Sequence, residues 1–399
     1  MKFASLSQVC NFILDGTHGS PVKVEEGIPV LSAQNVNNGT LSYTSDRFTT
    51  QAEYEVFERR LRLGLGDVLL TIVGSIGRSA LVTTVRPAVF QRSVAVLRPT
   101  PSILDSSYLN HAIQSRGSQQ QLRSATNQSS QAGVYLGKLS KLQIPLPPIG
   151  EQRRIAAILD RAETLRAKRR HALAKLDSLV SETFFERFMS RIQDPAVNVL
   201  RTALSNPDGW KWAKLTDVAR LATGHTPDRK RPDYWNGSIS WISLTDIREL
   251  DGTIAQRTSE SVSELGIAHS SSVKLPEGTV CFSRTASVGF VTIMGTEMAT
   301  SQDFVNWVCG PDLDPIFLMH ALLASRPTLL SLANGSTHRT IYLRTVEEFR
   351  CIVPPIKEQR QFREAVSSIS KIRRHMANSL LLLNKNFASL QHRAFRGEL

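Results

Sequence analysis

Asp228-Arg229-Lys230 puts a carboxylate two residues before a lysine, the acid-x-Lys spacing with which a metal-dependent nuclease can hold a cation and orient a water. It lies in a Thr-Pro-rich basic stretch with no upstream partner acid, which favours a solvated loop. Asn206-Pro207-Asp208-Gly209 superficially resembles an Asn-Pro-Pro-aromatic loop, but lacks its second proline and the aromatic ring that would stack on a flipped base, and reads as a turn. Gly64-Leu65-Gly66 lacks the third glycine of a dinucleotide fingerprint and precedes a strand-like run where it should follow one. The nine histidines form no H-x-H or H-E-x-x-H pair, and Cys10, Cys281, Cys309 and Cys351 form no C-x-x-C spacing, so neither a zinc site nor a disulfide framework is indicated. No metal ion or other cofactor is expected on this chain.

Other residues suit contact with nucleic acid. Gly74-Ser75-Ile76-Gly77-Arg78 and Arg284-Thr285-Ala286-Ser287-Val288-Gly289 each offer hydroxyls, backbone N–H groups and one arginine. Such a set fits phosphate oxygens and, in a major groove, guanine edges, although a plain hairpin turn reads nearly as well. Thr71 lies in the strand-like run just before the first loop. The polar stretches holding Asn127, Gln128 and Gln131, and His338 and Arg339, carry groups able to bond base edges. Gln91-Arg92-Ser93 aligns with Gln302-Asp303-Phe304, and the basic, aromatic run through Arg229, Lys230 and Arg231 has no close match earlier in the chain. Gln91, Arg92, Gln302 and these three cations complete the set of candidate nucleic-acid contacts.

These loops come in pairs because the chain repeats itself. Asn127 to Arg153 matches Asn334 to Arg360 at an offset of 207, through Tyr135-Leu136 and Tyr342-Leu343, Pro147-Pro148-Ile149 and Pro354-Pro355-Ile356, and Glu151-Gln152-Arg153 and Glu358-Gln359-Arg360. Gly66-Asp67-Val68 and Gly278-Thr279-Val280 extend the match at an offset of 212. Each copy starts with short strand-like runs, including Val68 to Val73, Val94 to Leu97, Val280 to Ser283 and Phe304 to Val308. Tyr108 to Ile113 and Phe317 to Leu323 read as short helices, and Ser115 to Gln131 and Ala333 to Thr340 as loops.

After each Pro-Pro pair comes a long run free of Pro and Gly, with apolar residues at alternating spacings of three and four: Ile155, Ile158, Ala162, Leu165, Ala172, Leu176, Leu179, then Phe362, Val366, Ile369, Met376, Leu380, Leu383, Phe387, Leu390. Arg169 and Arg373 interrupt the two seams, where a polar residue can fix register. The spacing predicts two long helices packed on each other, and the whole an α+β fold: a head at 1–149, a helix at 150–200, a second head at 201–355 and a second helix at 356–399.

Composition sets outer bounds. The chain has 399 residues, 41% hydrophobic and 21% charged, ordinary for folded globular domains. The net charge of +13 favours a polyanionic partner. No apolar stretch approaches a membrane span and no signal peptide is evident, so a reducing cytosol and no membrane partner are expected.

The two heads, each ending in Pro-Pro-Ile-x-Glu-Gln-Arg and followed by a long helix, resemble the specificity subunit of type I restriction-modification systems over essentially the whole chain. The second copy departs from the pattern after Arg360. The resemblance implies tandem target-recognition domains, each reading half of a bipartite asymmetric site in double-stranded DNA. It implies an antiparallel coiled coil that sets the spacing and docks two methyltransferase subunits, with two restriction subunits as further partners. Glu151, Gln152, Arg153, Arg154, Glu358, Gln359 and Arg360 are the implied partner interface. The family's specificity chain is not an enzyme: S-adenosylmethionine, ATP and Mg²⁺ belong to its partners. A protein-binding scaffold and a metal-dependent nuclease remain the alternatives on residues alone.

Overall fold

The computed structural model describes residues 2–37, 39–126, 132–192, 195–199, 210–335 and 339–399. They form an α+β fold with two compact units, one of Met1–His171 with Ala377–Leu399 and one of Ala172–Met376.

In the first unit an antiparallel sheet runs in the order Cys10–Asp15, Val94–Pro99, Val68–Thr71, Ser79–Leu81. Its central strands are buried on both faces, so apolar residues succeed one another instead of alternating with polar ones. Val68, Leu70, Ala95 and Leu97 face a cluster with Tyr108, Leu109 and Ile113 of the Ser106–Gln114 helix. Leu69, Val94 and Val96 face the opposite cluster with Phe57 and Phe90. The second unit repeats the plan: Ala219–Thr223, Phe304–Cys309, Val280–Ser283 and Val291–Met294, with Ile254–Ala255 added in parallel. Val280, Phe282 and Trp307 face one cluster, Cys281 and Phe304 the other. The stretch after Ser115 is not all loop: Arg116–Ala125 is a helix, capped by the Ser115 hydroxyl on the Ser118 N–H and burying Leu122.

Each head closes on a small sheet beside a long helix, and the two sheets differ. In the second unit Arg350–Val353 lies between Lys211–Lys214 and Val197–Asn198, with the Ile352 N–H donating to the Ala196 carbonyl at 2.9 Å. In the first unit Gln143–Pro145 pairs only with Phe3–Ser5 among the described strands. The first long helix therefore ends at Arg187, short of residue 200, because Val197 and Asn198 are already recruited to a sheet edge.

The long helices, Ile149–Arg187 and Ile356–Ala394, have 39 residues each, rods of about 58 Å. Within each unit their segments run antiparallel. In the first, Arg154 meets Leu399 and Arg166 meets Asn384. In the second, Asp177 meets Arg373 and the rings of Phe184 and Phe362 lie 5.4 Å apart. Two seam positions depart from the periodicity: Leu165 and Leu179 are exposed by 49% and 39%. Arg373 does not break a buried seam either; it is exposed and reaches Asp177 at 2.6 Å.

Candidate nucleic-acid interface

In each head three segments distant in sequence are pinned together at one end of the central sheet. In the first head the loop after Thr71 is held by Ile72 N–H on the Ser93 carbonyl (2.9 Å), Val134 N–H on the Ile72 carbonyl (2.8 Å) and Gly74 N–H on the Ala132 carbonyl (3.3 Å). In the second, Arg284 N–H bonds the Asp303 carbonyl (2.9 Å), Ile341 N–H the Arg284 carbonyl (2.8 Å) and Ala286 N–H the Arg339 carbonyl (3.0 Å). In the second head the loop at Arg284 thus lies beside Arg339, which the sequence offers separately, and in the first the loop after Thr71 lies beside Ala132 and Val134. A further close approach fixes the third wall: a Cβ on Gly16 would sit 2.1 Å from the Phe90 carbonyl oxygen, and on Gly224 2.2 Å from that of Thr300.

These bonds also set the true equivalence of the copies. Ser93 corresponds to Asp303, and Val94, paired with Thr71, to Phe304, paired with Ser283. The sequence alignment of Gln91-Arg92-Ser93 with Gln302-Asp303-Phe304 is therefore one residue out of register. Arg92 occupies the place of Gln302, so the two heads present an arginine and an amide at the same point of the scaffold.

Several expected contact residues shape the loops instead of lining a surface. Thr71 is fully buried; its hydroxyl donates to the Ser75 carbonyl and accepts from the Arg78 N–H at 2.9 Å. Ser287 is buried and accepts from Arg248 Nε at 2.7 Å. Arg284 is half-buried, with Nη2 donating to the Gln302 carbonyl at 2.9 Å, and Thr285 is half-buried as well. Ser75, Arg78 and Arg92 are exposed and Gln91 half-buried in the first head; Arg78 is steadied by Asn37 Oδ1 at 2.8 Å. Asn127, Gln128, Gln131 and His338 lie outside the described residues.

The basic run of the second head is mostly committed internally. Arg229 lies on the Trp235 ring, 3.8 Å from its centroid, and forks both terminal nitrogens onto Glu260. Arg231 forks onto Asp233, and that guanidinium holds the Asp233 carboxyl below the usual carboxylate range. Lys230 is exposed and its ammonium has no partner among the described residues; nor does the guanidinium of Arg339, also exposed. Gln302 is exposed and accepts from the Thr226 hydroxyl at 2.8 Å, joining this loop to the three-segment surface. Asp228 accepts from the Lys230 N–H at 2.9 Å, a local turn rather than a metal-holding arrangement. Among the described residues no group of three or more His, Cys, Asp or Glu side chains could hold a metal ion.

Two expected interface residues sit inside the protein. Gln152 and Gln359 have no exposed surface. Gln152 accepts from the Asp105 N–H (2.9 Å) and donates to the Ile103 (2.9 Å) and Pro147 (2.8 Å) carbonyls. Gln359 repeats this on Asp314 N–H (2.8 Å) and the Asp312 (3.0 Å) and Pro354 (2.6 Å) carbonyls. Each glutamine latches the start of a long helix to the capped turn of its head, a role that polarity alone does not reveal. The neighbours do face outward: Arg153 and Arg360 are exposed, Glu151 pairs with Arg154 at 2.8 Å, and Glu358 with Arg191 at 3.0 Å. The Arg154 guanidinium holds the Glu151 carboxyl below its ordinary range.

The sequence model of the family described as "Type I restriction modification DNA specificity domain" matches residues 1–175 and again 207–380. The type I restriction enzyme MjaIX specificity subunit of Methanocaldococcus jannaschii is 25% identical over 163 residues, 40% of this chain and 38% of that protein. The match therefore spans less than half of that relative. The StySPI specificity subunit of Salmonella potsdam is 22% identical over 94% of this chain and 83% of its own length. Among solved structures, a chain from a study of complex assembly and conformational transition in the type I R-M system aligns over 100% of this chain and 98% of its own, with a TM-score of 0.60 and 16% identity. The S subunit of the type I restriction-modification system of M. genitalium aligns over 99% and 96%, with a TM-score of 0.55 and 12% identity. Both show a common fold.

Proposed function

This chain belongs to the type I restriction-modification DNA specificity family, and from that membership we propose that it is the sequence-reading, non-catalytic subunit of such a complex. The observation that carries the reading is the paired surface: one scaffold built twice, with Arg78, Arg92 and Ser75 on one copy and Gln302, Lys230 and Arg339 on the other. A shared backbone bearing different donors and acceptors suits a bipartite DNA site whose halves differ in sequence. The exposed Lys230 and Arg339 supply phosphate contacts, and Gln302 and the exposed guanidiniums of Arg78 and Arg92 supply base contacts.

The partners follow from the same reading. Double-stranded DNA lies against both heads, and two methyltransferase subunits dock on the helices near Arg153 and Arg360. Restriction subunits join the assembly, and S-adenosylmethionine, ATP and Mg²⁺ are bound by those partners. No helix among the described residues is long and apolar enough to cross a membrane, and the site of action on this reading is the cytoplasm with its DNA. The test is a genome-wide map of N6-methyladenine in host cells with and without this gene. Loss of one motif made of two short blocks with a fixed gap is the expected result; an unchanged map in cells expressing the full complex refutes it. Arg92→Gln should alter one block only, since it gives the first head the side chain that the second carries at the same place.

A further inference from the structure

The two heads leave the same sheet edge in different states. In the second unit the outer edge of Arg350–Val353 is covered by the chain itself: Ala196 and Val197 are fully buried there. The Ala196 carbonyl accepts from Ile352 N–H, and the Val197 N–H donates to the Ser325 hydroxyl at 2.9 Å. In the first unit no described residue covers the equivalent place. A cavity of about 840 Å³ lies between Ser115, the start of the Arg116–Ala125 helix, the Gln143–Pro145 edge and the end of the second long helix. Ser115, the cap between two helices as Ser325 is, lines it.

The exposed edge is not a bare ladder awaiting a strand. Gln121 bonds both backbone groups of Gln143, at 2.8 and 2.9 Å, the Tyr108 hydroxyl donates to the Pro145 carbonyl at 2.9 Å, and Pro145 has no N–H to give. Whatever fills the groove must be recognised by side chains. Those include Arg116, His392 and Arg396, with Gln120 and Gln391, and no Asp or Glu lines the cavity. Arg116 has no partner among the described residues; Arg396 contacts His392 at 3.4 Å within the lining and Glu398 outside it at 3.6 Å.

We propose that this groove of the first unit docks an extended, acidic segment of a partner polypeptide, in the place where the second unit holds its own residues 195–199. The internal copy indicates an extended polypeptide with small apolar residues, and the lining charge indicates carboxylates on it. The inference is independent of DNA reading, and its test uses no DNA.

The probe is a fluorescein-labelled peptide, Glu-Asp-Pro-Ala-Val-Asn-Glu, built on the chain's own Asp-Pro-Ala-Val-Asn sequence and titrated into the full chain at physiological salt. Saturable anisotropy is expected, weakened about tenfold by Arg116→Glu and by Ala388→Trp, with unchanged thermal unfolding of both variants. Ala388 is exposed and lines the cavity, and a glutamate in the first turn of the Arg116–Ala125 helix suits its dipole, so both variants should fold. Equal affinity in both variants would mean generic attraction to a chain of charge +13 and would overturn the proposal. So would equal binding of a peptide with lysine in place of its acids, the absence of any binding, or displacement by ATP at stoichiometric concentration, which would make the groove a nucleotide site.

Discussion

Replacing Gln359 by alanine deletes three hydrogen bonds at once and leaves the Asp314 N–H and the Asp312 and Pro354 carbonyls facing the space the side chain filled. Two of the three bonds are buried and the third partly so, which limits how far water can substitute. At about 1–2 kcal/mol for each group left without a partner, Gln359→Ala should cost about 3–6 kcal/mol. Gln152→Ala should cost less, about 2–4 kcal/mol, because its three bonds are all only partly buried. All five tryptophans lie between 210 and 307, inside the second unit, so their fluorescence during urea unfolding follows that unit. Gln359→Ala should lower the tryptophan midpoint sharply, and the cost should add to that of Gln152→Ala, since the two latches share no partner. Gln359→Glu keeps the acceptor but loses both donated bonds and buries a charge, so it should be at least as damaging as alanine. A cost below about 1 kcal/mol for Gln359→Ala, or tolerance of Gln359→Glu, would show that the helix is not held to its head in this way.

Other parts of the structure give equally definite expectations. Ala286 adopts φ 59° where the first head has Gly74 at φ 74°, so Ala286→Gly should stabilise by about 1 kcal/mol in chemical denaturation, with Gly74→Ala shifting the midpoint the other way. Burial among Phe184 and Phe362 pushes the His320 imidazole down to about 4 from its ordinary 6.5. The unfolded chain then takes up a proton that the folded one refuses. Stability should be complete above pH 6.5 and fall by about 3 kcal/mol as the pH drops through 4, a slope that His320→Leu should remove from the pH series of urea midpoints. For DNA binding, Lys230→Ala and Arg339→Ala should each reduce the salt slope by about one, whereas Arg229→Ala should act mainly through loop order; identical slopes for all three would contradict the sorting of free and committed cations.

The repeat and the two long helices were legible because they are written in identities and in apolar spacing. So were the buried strands, where Val68 to Thr71 and Val280 to Ser283 form runs too apolar for any surface. What escaped was the location of polar groups. Gln152 and Gln359 look like helix surface, and their partners are backbone atoms of residues 45 to 49 positions away. Arg229 looks like a free cation until Glu260, 31 residues on, is folded against it. The Arg116–Ala125 helix was hidden by a Ser- and Gln-rich composition with Leu122 as its main apolar anchor. The slipped alignment at Gln91 followed a chance identity of two glutamines; only the carbonyls of Ser93 and Asp303 reveal the true register.

The glutamine latch touches main chain alone. Each of its six bonds ends on a peptide N–H or C=O, and none asks for a particular side chain in the head it grips. The joint therefore behaves as a standard fitting: any head whose turn offers one N–H and two carbonyls in that arrangement can be mounted on the same helix. On the proposed reading, recombination at Pro-Pro-Ile-x-Glu-Gln-Arg would exchange whole DNA-facing surfaces and leave the mount intact, so new target sites could arise without reinventing the frame that carries them.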